Sequence, residues 1–233
     1  MRFQSNLFIF IALFTALLFI FPSQSFGQKI NQELLDIVID RKFKDITLIY
    51  VLDSIRQDYK IPIVFEVADS GYKSGNPIDL NTFDINLEAG KLSDVLDAII
   101  KQRPNYKWEI IDGVVNFVPI KNRNPFIEEL FNTQIKSFSL KSYTFSNEID
   151  RKLEVTPEVA ELLKLNKTTV NNIYDVSIML GATYPEIEVN LTLSNITFKE
   201  ILNNIAKKSP ANFWIVHLQT LEIKGKTKRI LYL

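Results

Sequence analysis

The apolar positions after residue 82 change their spacing in a way that marks two secondary structures in turn. "FDINLEA", Phe83 to Ala89, alternates apolar and polar residues, which is typical of a strand with one buried face. The next apolar residues lie three and four apart and predict an amphipathic helix: Leu92, Val95, Leu96 and Ile99. Pro104 is expected to end this helix, because proline disfavours helical geometry in the residue before it.

A hairpin is predicted to follow the helix, in "YKWEIIDGVVNFVP". Its turn is Asp112-Gly113, a dipeptide that strongly favours a two-residue connection between antiparallel strands. That turn places Ile110 opposite Val115 and Trp108 opposite Phe117, all on one face. The apolar pattern therefore agrees with the register that the turn imposes.

The same pattern returns 106 residues later without a gap. Identical pairs at this shift are Leu87 and Leu193, Leu96 and Leu202, Ile99 and Ile205, Lys101 and Lys207, Pro104 and Pro210, and Trp108 and Trp214. The repeat predicts a second strand at "IEVNLTL", then a helix buried through Phe198, Ile201, Leu202 and Ile205. Carrying the hairpin register across predicts a turn at Leu218-Gln219, with Val216 opposite Leu221 and Trp214 opposite Ile223.

Upstream of the first copy, "DIVID" and "IPIVFE" read as strands on either side of a helix, "DITLIYVLDSIRQDYK". Asp45 is the predicted N-cap of that helix. Its predicted buried stripe is Leu48, Val51, Leu52 and Ile55. A loop rich in Gly, Ser, Asp and Pro is expected over residues 67 to 82.

The second copy begins less regularly. "QIKSFSL" reads as its first strand, "VTPEVAELLKL" as a helix capped by Thr156 with Pro157 in the first turn, and "IYDVSIML" as a strand. The predicted fold class is α+β, with two small modules that each pack two helices on a mixed or antiparallel sheet in the order β-α-β-β-α-β-β. We expect module 1 at 35–120, a linker at 121–133 and a diverged module 2 at 134–233.

The first 27 residues are set apart from this pattern. Arg2 precedes an apolar run from Leu7 to Phe21, followed by Pro22 and small residues. This order is typical of a secretory signal peptide (1–27), and the run is short for a membrane span. We therefore expect an exported chain without an integral membrane span after cleavage; an uncleaved anchor is the alternative.

Composition narrows the possible functions further. The chain has 27 Lys and Arg against 27 Asp and Glu, a balance unlike that of a dedicated nucleic-acid binder. It has no Cys, so it cannot form disulfides or thiolate metal sites, and folding must rest on hydrophobic burial.

The first module resembles the secretin and TonB short N-terminal domain, a small periplasmic domain. The segments that carry the resemblance are "ITLIYVLDSIRQDYKIPIVFE" and "FDINLEAGKLSDVLDAIIKQRPNYKWEIIDGVVNFVP", and more distantly "NLTLSNITFKEILNNIAKKSPANFWIV". The resemblance implies a non-enzymatic domain that contacts protein partners at the outer membrane, in secretion or TonB-dependent transport. The resemblance covers only these segments and no pore or receptor barrel, so we expect only a docking role to carry over.

No residue set predicts catalysis, a cofactor or a metal. His217 stands alone and needs partners for either kind of site. Four carboxylates, Asp36, Asp40, Asp45 and Asp53, are spread over a strand, a cap and a helix face, and solvated positions explain them best. The seven glycines are scattered, without a phosphate-binding loop.

Two features leave alternatives open. Trp108 and Trp214 fit the buried alternation better than exposed sugar-binding positions. The basic tail, with Lys224, Lys226, Lys228 and Arg229, could meet an anionic polymer or could guard a sheet edge, and we favour the edge. The sequence thus predicts a periplasmic or outer-membrane-associated protein that binds an envelope protein partner and is a candidate homo-oligomer. A cell-wall or glycan binder is the alternative.

Overall fold

A computed structural model describes residues 31–68, 82–85, 89–121, 123–143, 147–171, 188–208, 214–223 and 226–232. We call residues 31–121 unit 1 and residues 123–232 unit 2. Unit 1 contains a helical segment at 31–35, then β1 (Val38–Ile39), β2 (Phe43–Thr47), α1 (Leu48–Tyr59), β3 (Ile63–Glu66), β4 (Thr82–Ile85), β5 (Gly90–Lys91), α2 (Leu92–Gln102), β6 (Tyr106–Ile111) and β7 (Val114–Pro119). Unit 2 contains α3 (Pro125–Asn132), β8 (Gln134–Tyr143), α4 (Asn147–Glu154), α5 (Pro157–Leu165), β9 (Thr168–Asn171), β10 (Glu188–Thr197), α6 (Phe198–Lys208), β11 (Trp214–Ile223) and β12 (Lys226–Tyr232).

A six-stranded sheet in the order β6-β7-β3-β11-β12-β9 joins the two units. Each unit contributes an antiparallel hairpin, β6-β7 in unit 1 and β11-β12 in unit 2. The second strand of each hairpin runs parallel to an earlier strand of the same unit: β7 to β3, and β12 to β9. The units meet where β3 runs parallel to β11, with Val64 beside Trp214 and Phe65 beside Ile215. Among the described strands, three two-stranded antiparallel pairs, β1-β5, β2-β4 and β8-β10, lie outside this sheet.

Two apolar clusters cover opposite faces of the shared sheet. Alternate side chains of one strand point to opposite faces, so Ile63 and Phe65 join the cluster of α1 and α2, whereas Val64 joins the cluster of α3, α5 and α6. The junction strand of unit 2 is divided in the same way: Ile215 belongs to the core of unit 1, and Val216 to the core of unit 2. Each unit therefore supplies side chains to the other unit's core.

The duplication predicted from the sequence appears in local detail. α2 and α6 begin and end 106 positions apart. At the start of α2 the Asp94 carboxylate accepts a bond from the Lys91 backbone N–H (3.1 Å), and at the start of α6 Glu200 accepts one from Thr197 (2.7 Å). Acidic residues at this position satisfy backbone donors that the first helical turn leaves open. The α+β class is confirmed.

Several predicted elements are also confirmed. The stripes of α1 and α2 are buried, α2 ends before Pro104, and the first hairpin pairs Trp108 with Phe117 and Ile110 with Val115. "QIKSFSL" begins β8, and "IEVNLTL" lies largely in β10, where Val189 and Leu191 are buried. "DIVID" forms only the two-residue β1, and the predicted linker 121–133 contains α3.

The predicted N-cap of α1 is wrong. The helix begins at Leu48 after Thr47, and Asp45 lies inside β2 with a φ of 49°. The pairing of β2 with β4 shifts register between Phe43 and Ile46, and the Asp45 N–H donates to the Asp84 carboxylate at 2.7 Å. Strand pairing thus occupies the residues that a capped helix would have used. Thr156 does precede α5, but its hydroxyl donates to the Lys152 carbonyl (2.9 Å) and makes no cap bond.

The predicted register of the second hairpin is also wrong. Leu218 and Gln219 lie within β11 and pair with Leu231 and Ile230, so the connection falls six residues later, between Ile223 and Lys226. Leucine and glutamine do not readily take positive φ, so Leu218-Gln219 is a poor two-residue turn. Asp112 and Gly113 do take positive φ, with values of 52° and 77°. The later position includes Gly225.

Some predictions lie outside the described residues. They are the signal peptide at 1–27, most of the loop at 67–82, the strand "IYDVSIML", Leu87, Ile187 and Pro210.

Candidate docking edge

β6 is the outermost strand on the unit 1 side of the shared sheet as far as the described residues show. In a hairpin with a two-residue turn, the residues next to the turn bond to each other, and bonded pairs alternate along the ladder. Ile111 and Val114 form that first pair, and the bond from the Ile120 N–H to the Asn105 carbonyl (2.8 Å) keeps the same alternation. The backbone N–H and C=O groups of Trp108 and Ile110 therefore point away from β7.

The equivalent groups in unit 2 are already used to bind a strand. Trp214 and Val216 occupy the positions of Trp108 and Ile110 at the shift of 106, and β3 runs parallel alongside them. The Val216 carbonyl accepts a hydrogen bond from the Val67 N–H at 2.9 Å. β11 thus shows that the first strand of such a hairpin can pair with a further strand on the side away from its hairpin partner.

The two tryptophans differ in exposure. Trp214 is 6% exposed in the unit 2 core, beside β3, whereas Trp108 is only partly buried against the unit 1 core. Ile110 is partly buried as well, although its equivalent Val216 is 0% exposed. The apolar side chains of β6 therefore keep exposed surface that the equivalent residues of β11 have lost.

Hydrogen bonding at the tryptophans also differs. The Trp108 Nε1–H donates to the Asp97 carboxylate at 2.9 Å. Asn203 stands at the position equivalent to Asp97, and its Oδ1 and Nδ2 atoms, like Trp214 Nε1, are buried without a hydrogen-bond partner. Trp214 and Asn203 therefore do not form the hydrogen bond that their equivalents Trp108 and Asp97 form in unit 1.

Charged side chains lie on the other face of β6. Lys199, from α6, binds the Glu109 carboxylate at 3.0 Å, and Lys107 lies 3.4 Å from the same carboxylate. Burial raises the pKa of Glu109, but the bonds and charges of Lys199 and Lys107 outweigh it, so the pKa lies below its ordinary value. The carboxylate on the edge strand is therefore neutralised by residues of the same chain.

A buried ion pair lies near the junction of the units. The Glu66 side chain is 1% exposed and accepts bonds from the Arg123 Nε at 2.9 Å and Nη2 at 3.0 Å. Burial raises the pKa of Glu66, and the Arg123 guanidinium opposes this rise. Val216 pairs with Glu66 across the junction, so the ion pair fixes the end of β3 where β11 joins it.

The residues weighed for chemistry do not converge on one site. His217 is 5% exposed and lies on the opposite face of β11 from Trp214 and Val216, as its place in the alternation predicts. The carboxylates have separate contacts: Asp36 binds Lys91 (2.7 Å), and Asp53 binds Arg56 (2.6 Å). Asp40 accepts from the Tyr59 hydroxyl at 2.6 Å. The described His, Asp and Glu residues form no group suited to holding a metal ion.

The basic tail lies only partly at an edge of the sheet, as predicted for its lysines. β9 pairs with β12 only from Arg229 to Tyr232, so among the described residues Lys226 and Lys228 have β11 on one side and no strand on the other. Lys228 is exposed, but the Arg229 guanidinium lies 5.0 Å from the Phe126 ring and donates to the Asn166 carbonyl at 3.3 Å. Arg229 is thus engaged within unit 2. Lys224 lies outside the described residues.

Sequence reasoning missed the Glu66–Arg123 pair and the outward groups of β6. Glu66 ends a predicted strand but is not one of its predicted apolar residues, and Arg123 lies in the predicted linker. No local sequence pattern therefore indicates that the two side chains are in contact. The outward direction of the backbone N–H and C=O groups of Trp108 and Ile110 could have been predicted from the Asp112-Gly113 turn. The turn determines which residue pairs of the hairpin are hydrogen-bonded and which are not.

Comparisons with known proteins identify no relative. No protein-family model matches the chain, and neither curated proteins nor solved structures gave a significant match. Among the helices of the described residues, none has the length and apolar composition to cross a bilayer.

Proposed function

We propose that this chain is an exported envelope protein that docks a protein partner by strand addition at the β6 edge. The observation that carries the proposal is the junction of β3 and β11. A strand runs there along the equivalents of Trp108 and Ile110, while the same backbone groups of β6 face outward. Main-chain bonds give such docking its affinity, and alternate side chains select the partner.

The side chains of β6 favour a partner with a short apolar strand. Val64 and Phe65 lie beside Trp214 and Ile215 at the internal junction. A similar strand on β6 would cover the exposed parts of Trp108 and Ile110, and burying apolar surface stabilises association. Glu109 is held by Lys199, so its charge adds little repulsion to an approaching strand.

The proposed location and class rest on the sequence. The amino-terminal segment is typical of a signal peptide, which supports a location in the periplasm or at the outer membrane. The resemblance of unit 1 to the secretin and TonB short N-terminal domain supports a non-enzymatic docking role in envelope transport or secretion.

A single backbone change tests the docking edge. Ile110→Pro removes an outward N–H without removing a bond to β7, so the variant is expected to fold and to lose the partner. The matched control, Ile110→Val, keeps the N–H and is expected to retain the partner. The measurement is the set of proteins that each tagged chain captures from an envelope extract. An envelope protein captured equally by both variants would contradict docking at β6.

A further inference from the structure

The two outer described strands of the shared sheet, β6 and β9, run in the same direction. β6 is antiparallel to β7, which runs parallel to β3 and β11; β12 is antiparallel to β11, and β9 is parallel to β12. Two reversals separate β6 from β9. A second copy can therefore be placed beside the first in the same orientation, displaced in the plane of the sheet at right angles to the strands. Its β6 would then run parallel to β9 of the first copy.

The internal junction joins the same two types of strand. β3 follows the first helix of unit 1, and β11 opens the hairpin of unit 2. β9 likewise follows the first helices of unit 2, and β6 opens the hairpin of unit 1. The outer strands of the molecule thus repeat, between copies, the parallel pair that already exists inside the chain.

The faces of the sheet agree as well. Unit 1 has its helices on one face and unit 2 on the other, and equivalent strands of the two units run in opposite directions. The units are therefore related by a half-turn about an axis across the strands together with a shift along that axis. A second half-turn restores the original orientation, and the third unit in a row would be oriented as unit 1. This contact is heterologous, which leaves a free β6 at one end and a free β9 at the other.

We propose that copies of this chain associate head to tail, with the β9 edge of one copy accepting the β6 edge of the next, to form open-ended oligomers. This inference rests on the proposed function, since it identifies the strand that docks on β6.

The edge residues set the strength of the contact. β9 offers the exposed Thr169 and Asn171, and β6 carries Glu109 where β11 has the buried Ile215. Fewer apolar side chains are buried than at the internal junction, so association between copies is weaker than the internal pairing. We expect reversible assembly that depends on concentration, with dissociation constants between about 1 μM and 1 mM.

Sedimentation velocity on the exported chain at rising concentration tests the inference. The weight-average mass is expected to rise past that of a dimer without a plateau. Ile110→Pro blocks β6. Thr169→Pro and Val170→Pro are both made for β9, because neighbouring residues of a strand direct their N–H groups to opposite sides, and the variant that keeps the wild-type circular dichroism is used.

Mixing the blocked variants gives the decisive readout. Each variant alone is expected to stay monomeric, because each lacks one of the two edges. An equal mixture is expected to stop at the dimer, because only the intact β9 of one variant can meet the intact β6 of the other. If both β9 variants unfold, cysteine crosslinking replaces them: the chain has no natural Cys, so a mixture of Ile110→Cys and Thr169→Cys chains should give a crosslinked heterodimer under oxidation.

Three outcomes would overturn the inference: a monomer at every concentration up to about 1 mM, dimers of the β9-blocked variant alone, or assembly that Ile110→Pro leaves unchanged. A monomeric chain that still captures an envelope protein through Ile110 would end the inference and leave the proposed function standing. Capture insensitive to Ile110→Pro would end the proposed function as well.

Discussion

Glu66 shows how a single residue can make the junction of the units sensitive to pH. Its carboxylate is almost fully buried, and its charge is matched by two hydrogen bonds from Arg123. A buried charge is costly when its partner is removed. In the folded protein the charged form of Glu66 is therefore stabilised by Arg123, which lies in the connection between the units.

Arg123→Ala should destabilise the protein by about 3 kcal/mol at pH 8 and by less at pH 5. Without Arg123 the native pKa of Glu66 rises further above its ordinary 4.5. The native state then binds a proton that the unfolded state has released, so stability falls as pH rises above about 4.5. Urea unfolding at the two pH values measures this difference.

The double variant Glu66→Gln, Arg123→Ala provides the control. With no carboxylate to titrate, its loss of stability relative to Glu66→Gln should be equal at both pH values. An Arg123→Ala loss that is no larger at pH 8 than at pH 5 would show that Glu66 does not carry the effect.

Asn203→Leu should leave the free energy of unfolding unchanged or raise it by up to about 1 kcal/mol, because the amide is buried with neither polar atom bonded. Its counterpart Asp97→Leu should lower stability by up to about 1 kcal/mol, because Asp97 accepts a bond from Trp108. Thermal unfolding of both variants makes the comparison. A large loss for Asn203→Leu would mean that the amide has a bonding role.

At the scale of elements, the two hairpins show what a sequence pattern can and cannot predict. The Asp112-Gly113 turn takes positive φ at both residues, and the predicted register of β6 and β7 is correct. In unit 2 the helix repeats at the same spacing, but the hairpin is longer, so copying the register from Trp214 onward failed. Internal similarity predicted the type of element reliably, whereas the register depended on the local turn.

Gly113→Val should lower stability by about 1–2 kcal/mol, because a β-branched residue disfavours the φ of 77° found there. Asp112→Asn should change stability by only a few tenths of a kcal/mol, since asparagine also takes positive φ readily. Chemical denaturation of both variants is the measurement. Equal stability of the two would contradict the assigned turn.

At the scale of the whole molecule, the shared sheet makes the two units depend on each other. Ile215 lies in the core of unit 1, and Val64 and Val114 lie in the core of unit 2. The sequence predicted the α+β class and the helices α1, α2, α5 and α6, but it gave no sign that β3 and β11 would pair. Strand pairing between distant segments leaves no local periodicity, because each strand alternates in the same way whatever its neighbour is.

The two tryptophans can report whether the units unfold together. Trp108→Phe leaves Trp214 as a probe of unit 2, and Trp214→Phe leaves Trp108 as a probe of unit 1. We expect each variant's tryptophan fluorescence and circular dichroism to give one common midpoint in urea, because the cores share residues. Fluorescence that changes well before or after the circular dichroism would mean that the units unfold separately.

Ile215→Ala should then lower the midpoint of both units, with a loss of about 2–4 kcal/mol. Ile215 belongs to unit 2 by sequence but is 5% exposed within the core of unit 1. Repeating the substitution in the two single-tryptophan chains measures each unit separately. A change confined to the Trp214 signal would show that the crossing residue does not couple the units.

The pairing of β3 with β11 also bears on how such a chain folds while it is being synthesised. β3 pairs with β11, which comes much later in the sequence, so the ribosome would release unit 1 well before β11 is made. During that interval the first unit would carry a bare apolar strand, which invites aggregation. A chaperone that shields this strand until β11 has been made would therefore raise the yield of native protein.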